Sequence, residues 1–192
     1  LSDLDWAQVE IQTRRGTSWG PWTAFRGSDV SSYTGYGPLW TYPAIDMSSY
    51  ADSLVRISFH FVTARDYWGT PSEDRGWLID DVAILKGRSA DPVAPVVESF
   101  ENGIGNWLVD RGQWEVGVPA GSPSAHNGGS CAGTVLAGNY ENGADTRLIS
   151  PPYALPSLAA CETMRLRFWN WHRLFDYDQG SVEVSTLRNR IW

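Results

Sequence analysis

The side chains most able to do acid–base chemistry are three histidines, His60, His126 and His172, which are isolated from one another in the sequence. The chain has no H-E-x-x-H pattern for a zinc peptidase, no G-x-S-x-G nucleophile turn and no phosphate-binding loop. Glu73 and Asp74 are adjacent acids whose loop setting fits solvation better than paired catalysis. The sequence therefore predicts a protein that is not an enzyme.

Aspartates two residues apart occur twice, as Asp3 and Asp5 and again as Asp176 and Asp178. A D-x-D pair that enters a strand could bind a cation, although it falls short of the EF-hand loop pattern. More often such a pair is a hairpin turn in which Asp bonds its own backbone. Both interpretations stay open at this point.

The two cysteines, Cys131 and Cys161, do not form a C-x-x-C zinc pattern. An even pair in a chain that has a single lysine and 11 tryptophans favours a Cys131–Cys161 disulfide and an oxidising compartment. The alternative is a pair of unbonded, buried thiols.

Aromatic residues form the most prominent candidate for ligand binding. Trp169 and Trp171 share strand parity with the arginines of their segment, which places them on the outer face of a sheet. Tyr67 and Trp68 form a second candidate in a loop rich in Gly and Pro. Such flat surfaces stack on sugar rings or anchor a protein partner. Alternatively, a bulge or a covering loop buries these tryptophans.

The elements that carry these residues are strands, because apolar and polar residues alternate with a period of two. The alternating apolar positions are Val55, Ile57, Phe59, Phe61, Met164, Leu166 and Phe168. Shorter strands are predicted at 113–116 and 146–149, and a mostly apolar strand at 77–85. Many short strands separated by turn clusters predict an all-β, antiparallel jelly-roll β-sandwich.

Composition narrows the choice of function. The chain has 192 residues, a net charge of −7 and 42% hydrophobic residues, which suffices for a sizeable core. An acidic chain without a basic stripe argues against nucleic-acid binding. No apolar run approaches the length of a transmembrane segment.

An internal repeat is the most informative feature. Residues 174–192 align with residues 1–19 without a gap at an offset of 173, and eight of the 19 pairs are identical. The identical pairs include Val9/Val182, Glu10/Glu183 and Thr13/Thr186. We therefore expect residues 1–87 to be the C-terminal half of one repeat, 88–95 a linker, and 96–192 the N-terminal half of the next repeat.

Read in repeat order, the chain resembles bacterial MAM-like jelly-roll domains, which occur in secreted peptidases of the immune-inhibitor type and in surface proteins. The opening is carried by Phe100-Glu101-Asn102-Gly103, Trp107 and Trp114-Glu115-Val116-Gly117, and the ending by Gly76-Trp77-Leu78-Ile79-Asp80-Asp81-Val82. The resemblance implies a secreted or cell-surface protein.

The same resemblance implies a structural calcium ion. In related jelly rolls the first and last strands lie together, which would gather Asp80 and Asp81 with Glu101 and Asn102. Calcium takes six to eight oxygen ligands, including carboxylates. Neighbours in a regular strand point to opposite faces, so we expect one aspartate, with Asp81 favoured, to be a direct ligand. Solvated acids at a sheet edge are the alternative.

Two functions from different classes follow. The first is a non-catalytic extracellular module for adhesion or for binding a glycan or a protein. The second is a structural repeat subunit of an extracellular filament or surface array, in which neighbouring copies complete one another by exchanging strands or half-domains.

Overall fold

A computed structural model describes residues 11–14, 18–22, 25, 32–63, 74–88, 91–174 and 179–187. For the stretches 11–14 and 179–187 the description is of the backbone. Several residues with a predicted role lie outside the described residues, namely Asp3, Asp5, Tyr67, Trp68, Asp176 and Asp178. Among the described residues, no helix is long and apolar enough to cross a membrane.

The first sheet contains seven strands of the described chain. In chain order these are β1 (Ile11–Arg14), β2 (Ser32–Thr34), β5 (Leu54–Val62), β8 (Leu108–Asp110), β11 (Asp145–Ile149), β12 (Tyr153–Ala154) and β14 (Gln179–Leu187). The spatial order is β1-β14-β5-β11-β8, with β2 paired to β14 and β12 paired to β5.

The second sheet also contains seven described strands. These are β3 (Tyr36–Thr41), β4 (Ala44–Asp46), β6 (Gly76–Arg88), β7 (Asp91–Glu98), β9 (Glu115–Gly117), β10 (Cys131–Gly133) and β13 (Thr163–Arg173). The spatial order is β9-β10-β6-β13-β3, with β4 paired to β13 and β7 paired to β6. A short 3-10 helix, η1 (Ser48–Tyr50), leads into β5.

The two sheets pack into a sandwich around an aromatic core, which confirms the predicted all-β, antiparallel β-sandwich. The apolar positions of the predicted alternation in β5 and β13 are all fully buried. At the centre, the Phe59 ring lies 5.7 Å from Trp77 and 5.0 Å from Phe168, both edge-on. Edge-to-face contacts of this kind add to the free energy gained from burying the rings.

Strands from the two halves of the chain alternate within one sandwich. In the second sheet β6 lies between β10 and β13, and in the first sheet β5 lies between β14 and β11. Part of the predicted linker is itself a strand, because β7 folds back on β6 with Arg88 opposite Asp91. Pro92 and Pro95 are tolerated there because β7 pairs on one side only among the described strands.

A β-bulge interrupts β6 at its two aspartates. The pairing with β13 shifts by one residue between Arg167 and Trp169, and Asp81 has a φ of 45°. The side chains that face the core change from odd to even positions across the bulge, from Ile79 to Val82. The expectation that Asp80 and Asp81 point to opposite faces is therefore wrong, because the extra residue turns both away from the core.

Candidate functional site

The outer face of the second sheet carries the candidate site. In β13 the buried residues Met164, Leu166 and Phe168 alternate with half-buried Arg165, Arg167 and Trp169. Trp171 follows on the same side and packs with Leu78 and Cys131 in a small cluster separate from the main core. The aromatic and cationic side chains thus share one face, as the parity argument predicts.

A loop covers the Trp171 end of this face. Pro119, Pro123 and Leu136 line a shallow pocket with Trp171 and Arg75. The Arg75 guanidinium donates a 2.9 Å hydrogen bond to the Ala120 carbonyl, which ties the loop to the sheet. Trp171 is left 6% exposed. The alternative in which a covering loop buries the tryptophan is therefore correct for Trp171.

Trp169 is half-buried and takes part in a stack of rings that we call the aromatic stack. Its ring lies parallel to His126 at 3.6 Å and to Tyr42 at 4.7 Å. Arg167 continues the stack, because its guanidinium carbon lies 3.8 Å from the centre of the Tyr42 ring. Arg167 also donates a 2.7 Å hydrogen bond to the Tyr42 carbonyl. Half-buried Trp40 meets His126 edge-on at 5.8 Å.

The position of His126 depends on two carboxylates that hold its loop. Asp80 accepts hydrogen bonds from the backbone N–H groups of His126 at 2.9 Å and Asn127 at 3.1 Å. Glu101 accepts from Gly129 at 3.1 Å and from Ser130 at 2.8 Å. Charged acceptors form stronger hydrogen bonds than neutral ones. We call residues 126–130 the pinned loop.

Burial dominates the electrostatics of Asp80, which is 0% exposed. Desolvation raises the pKa of this carboxyl to about 6, against the lowering effect of the N–H groups of Asn127, Asp81 and His126. The charge of neighbouring Asp81 adds to the rise. The negative charge on Asp80 at neutral pH is therefore costly, and the pinned loop compensates part of that cost.

The residues of the predicted calcium site take different positions. Asp80 and Glu101 hold the pinned loop, the Asp81 carboxylate lies 3.7 Å from Nδ1 of His126, and Asn102 lies in the exposed turn after β7. Within the described ranges, no group of three or more His, Cys, Asp or Glu side chains could hold a metal ion. Backbone N–H groups already occupy carboxylate oxygens of Asp80 and Glu101 that a calcium ion would need here. The calcium ion itself stays a prediction.

The expected Cys131–Cys161 disulfide is absent, and both cysteines are free. Ala132, next to Cys131, pairs with Ile79, whereas Thr163, just after Cys161, pairs with Gly87. At about 3.3 Å per residue the cysteines lie roughly 25 Å apart along the sheet, whereas a disulfide joins Cα atoms about 4–7 Å apart. Burial, followed by the charges of Asp80 and Glu101, raises the pKa of Cys131 to about 12.

The sequence missed a charged network on the outer face of the first sheet. His60 lies on the wet face of β5, but it is not isolated, because its Nε2 lies 2.7 Å from Oδ1 of Asp145. Arg147 contacts the other ring nitrogen at 3.3 Å, so both ring nitrogens have a polar partner. Burial tends to raise the pKa of Asp145, but the hydrogen bond from His60 and the charges of His60, Arg111 and Arg147 hold it below its usual range. Strand register alone brings Asp145 near His60, and no local motif could have revealed it.

The chain is similar to Bacillopeptidase F of Bacillus subtilis (strain 168), with 35% identity over 99 residues. The matched stretch is 50% of this chain and 7% of that protein, so the similarity concerns a small part of the peptidase. No protein-family model and no solved structure matches the chain.

Proposed function

We propose that this chain is a non-catalytic, extracellular β-sandwich module that binds a glycan or a protein on the outer face of its second sheet. The observation that carries the proposal is the aromatic stack beside Arg165 and Arg167 on one sheet face. Rings and guanidinium groups are the side chains that contribute most to recognition surfaces.

Similarity to 7% of a peptidase supports the idea of a module within a larger protein. The sequence resemblance to MAM-like jelly-roll domains points the same way and is the basis for an extracellular location. Because both thiols are free, no disulfide supports an oxidising compartment.

The roles of the three histidines support a non-catalytic module. His60 pairs with Asp145, His126 stacks on Trp169, and His172 packs edge-on against the core residue Tyr33 at 5.5 Å. Each ring serves a separate packing or ion-pair contact. General acid–base catalysis needs such a group aimed at a reacting atom.

The geometry also limits how a ligand can bind. Because His126 at 3.6 Å and Tyr42 at 4.7 Å both stack on Trp169, these two rings already cover the indole. A sugar or a partner side chain would therefore contact ring edges, Trp40 and the arginines, unless the pinned loop moves. The positive charge of Arg165 and Arg167 favours ligands that carry carboxylate, sulfate or phosphate groups.

Titration of tryptophan fluorescence with neutral and acidic soluble polysaccharides, and with candidate proteins, tests the proposal. We expect one ligand class to quench the emission saturably. Trp169→Leu should weaken that binding at least tenfold, and Leu39→Ala, at an exposed position of β3, should leave it unchanged. A flat response to every class, or equal binding by the two variants, would contradict a binding site on this face.

A further inference from the structure

The two near-identical segments of the chain lie side by side in the first sheet. β1 pairs with β14 in parallel, and Ile11 is opposite Val184, Gln12 opposite Ser185, and Thr13 opposite Thr186. This register equals the offset of 173 that aligns residues 1–19 with 174–192 in the sequence. Among the described strand pairs, β1 and β14 form the one parallel pair.

β14 fills the position beside β5, which we call the β5 slot. It pairs antiparallel with β5 along nine residues, from Gln179 opposite Val62 to Leu187 opposite Leu54. β1 lies one strand further out, at the edge of the sheet. Trp19, at the end of the first segment, already contacts β5, since the Arg56 guanidinium lies 4.5 Å from the centre of its ring.

β1 matches β14 in direction and register over its four described residues. A shift of one residue in register would turn the apolar side chains of a strand to the wrong face. β1 has the direction and the register of β14, so Ile11 would take the position of Val184 and Thr13 that of Thr186. Entry into the slot requires a sideways displacement of about 4.8 Å, the distance between neighbouring strands.

We propose that β1 replaces β14 in the β5 slot, and that the released β14 docks in the β5 slot of a second copy of this chain. β1 keeps the edge of β5 paired while β14 is away, and it returns to the edge of the sheet when the β14 of a second copy docks. The edge of β5 that β1 then vacates is a template for pairing with another chain, and the strand whose register fits that edge is β14. This goes beyond ligand binding, because the partner is the protein itself.

Two matched double variants test the exchange, because Gln12 and Ser185 are the equivalent residues of the two segments. Arg56 on β5 is opposite Ser185, so Arg56→Cys with Ser185→Cys locks β14 in its own slot. Gln12 on β1 is opposite Ser185 and lies two strand spacings, about 10 Å, from Arg56, beyond the reach of a disulfide. Arg56→Cys with Gln12→Cys therefore forms its disulfide only when β1 enters the slot. Both variants carry Cys161→Ser, which removes the exposed thiol.

Light scattering over a concentration series, together with mild oxidation, gives the readout. We expect the unlocked chain to gain mass with concentration, the chain locked at 56–185 to stay monomeric, and the 56–12 disulfide to form. A mixture of an Arg56→Cys chain and a Ser185→Cys chain should yield a cross-linked dimer. A monomer at every concentration would overturn docking on a second copy, whichever disulfide forms. Failure of the 56–12 disulfide, where the 56–185 disulfide forms fully, would overturn the role of β1.

Discussion

The ionisation of Asp80 should make the protein more stable in mild acid than at neutral pH. Its pKa is raised from 3.8 to about 6 by burial, so the folded state binds a proton more tightly than the unfolded chain does. Stability rises with pH only where the unfolded state binds more protons. Between pH 6 and pH 4 the folded state binds more, so the contribution of Asp80 to stability grows as the pH falls.

The two pKa values differ by about 2, which corresponds to about 3 kcal/mol at ~1.36 kcal/mol per unit. Asp80→Asn removes this titration, because the amide carries no charge. The amide oxygen can still accept the N–H groups of His126 and Asn127, whereas the NH₂ group then faces the N–H of Asp81. That mismatch costs about 1–3 kcal/mol and is independent of pH.

Denaturant unfolding at pH 4, 5, 6 and 7, followed by tryptophan fluorescence in EDTA, measures the difference. We expect the free energy of unfolding of the natural protein to rise by about 2.4 kcal/mol relative to Asp80→Asn between pH 7 and pH 4, because the carboxyl of the unfolded chain is itself partly protonated at pH 4. Asp145, whose pKa is held low, loses stabilisation in acid, but this effect is common to both proteins and cancels. A difference that does not change with pH would refute the desolvation argument.

The same experiment with added calcium tests the predicted ion. Calcium that binds at Asp80 would stabilise the natural protein at pH 7 and would leave Asp80→Asn unchanged. Equal free energies of unfolding in calcium and in EDTA would remove the calcium prediction.

Three further predictions concern the packing. Asn170→Ala should lower the free energy of unfolding by about 3 kcal/mol in denaturant unfolding. The reason is that Trp77 Nε1 and Thr41 Oγ1 lose their hydrogen bonds to the Asn170 amide, at 2.8 Å and 2.6 Å. As a control, Asn102→Ala in an exposed turn should change the free energy of unfolding by no more than about 0.5 kcal/mol. Gly76→Ala should lower the free energy of unfolding by about 2 kcal/mol or more, because Gly76 has a φ of +85° and a Cβ there would overlap Thr134 Oγ1. Gly103 has a similar φ of +81° but open space around it, so Gly103→Ala should lower the free energy of unfolding by only about 1 kcal/mol. A thiol reagent should titrate one cysteine, exposed Cys161, in the native protein and two after unfolding, and a count of zero in both states would restore the disulfide.

The strands were predictable because burial on one side imposes a period of two. The alternations around Phe59 and Leu166 gave β5 and β13 with the correct faces, and the aromatic and arginine residues of β13 followed by parity. Whether those aromatic residues are accessible depends on a loop distant in sequence. Trp171 and Trp169 have the same parity, yet the loop that contains Pro119 and Pro123 buries the first and leaves the second half-exposed.

The candidate site was predictable only in part, because register and bulges are decided by partner strands. In a regular strand Asp80 and Asp81 would point to opposite faces, but the register shift against β13 turns both outward. The sequence spacing of Cys131 and Cys161 did not determine whether they form a disulfide. The sheet places the two cysteines too far apart to do so.

The sequence by itself determined the all-β class, the buried faces of the long strands and the equivalence of the first and last segments, since all three are written in local periodicity or in identity at a fixed offset. Tertiary structure decided which copy fills the β5 slot, which carboxylates hold the pinned loop and which rings meet. These outcomes depend on contacts between residues that are far apart along the chain. The free energy of each such contact depends on two residues that are far apart in the sequence, so a local sequence pattern does not predict it.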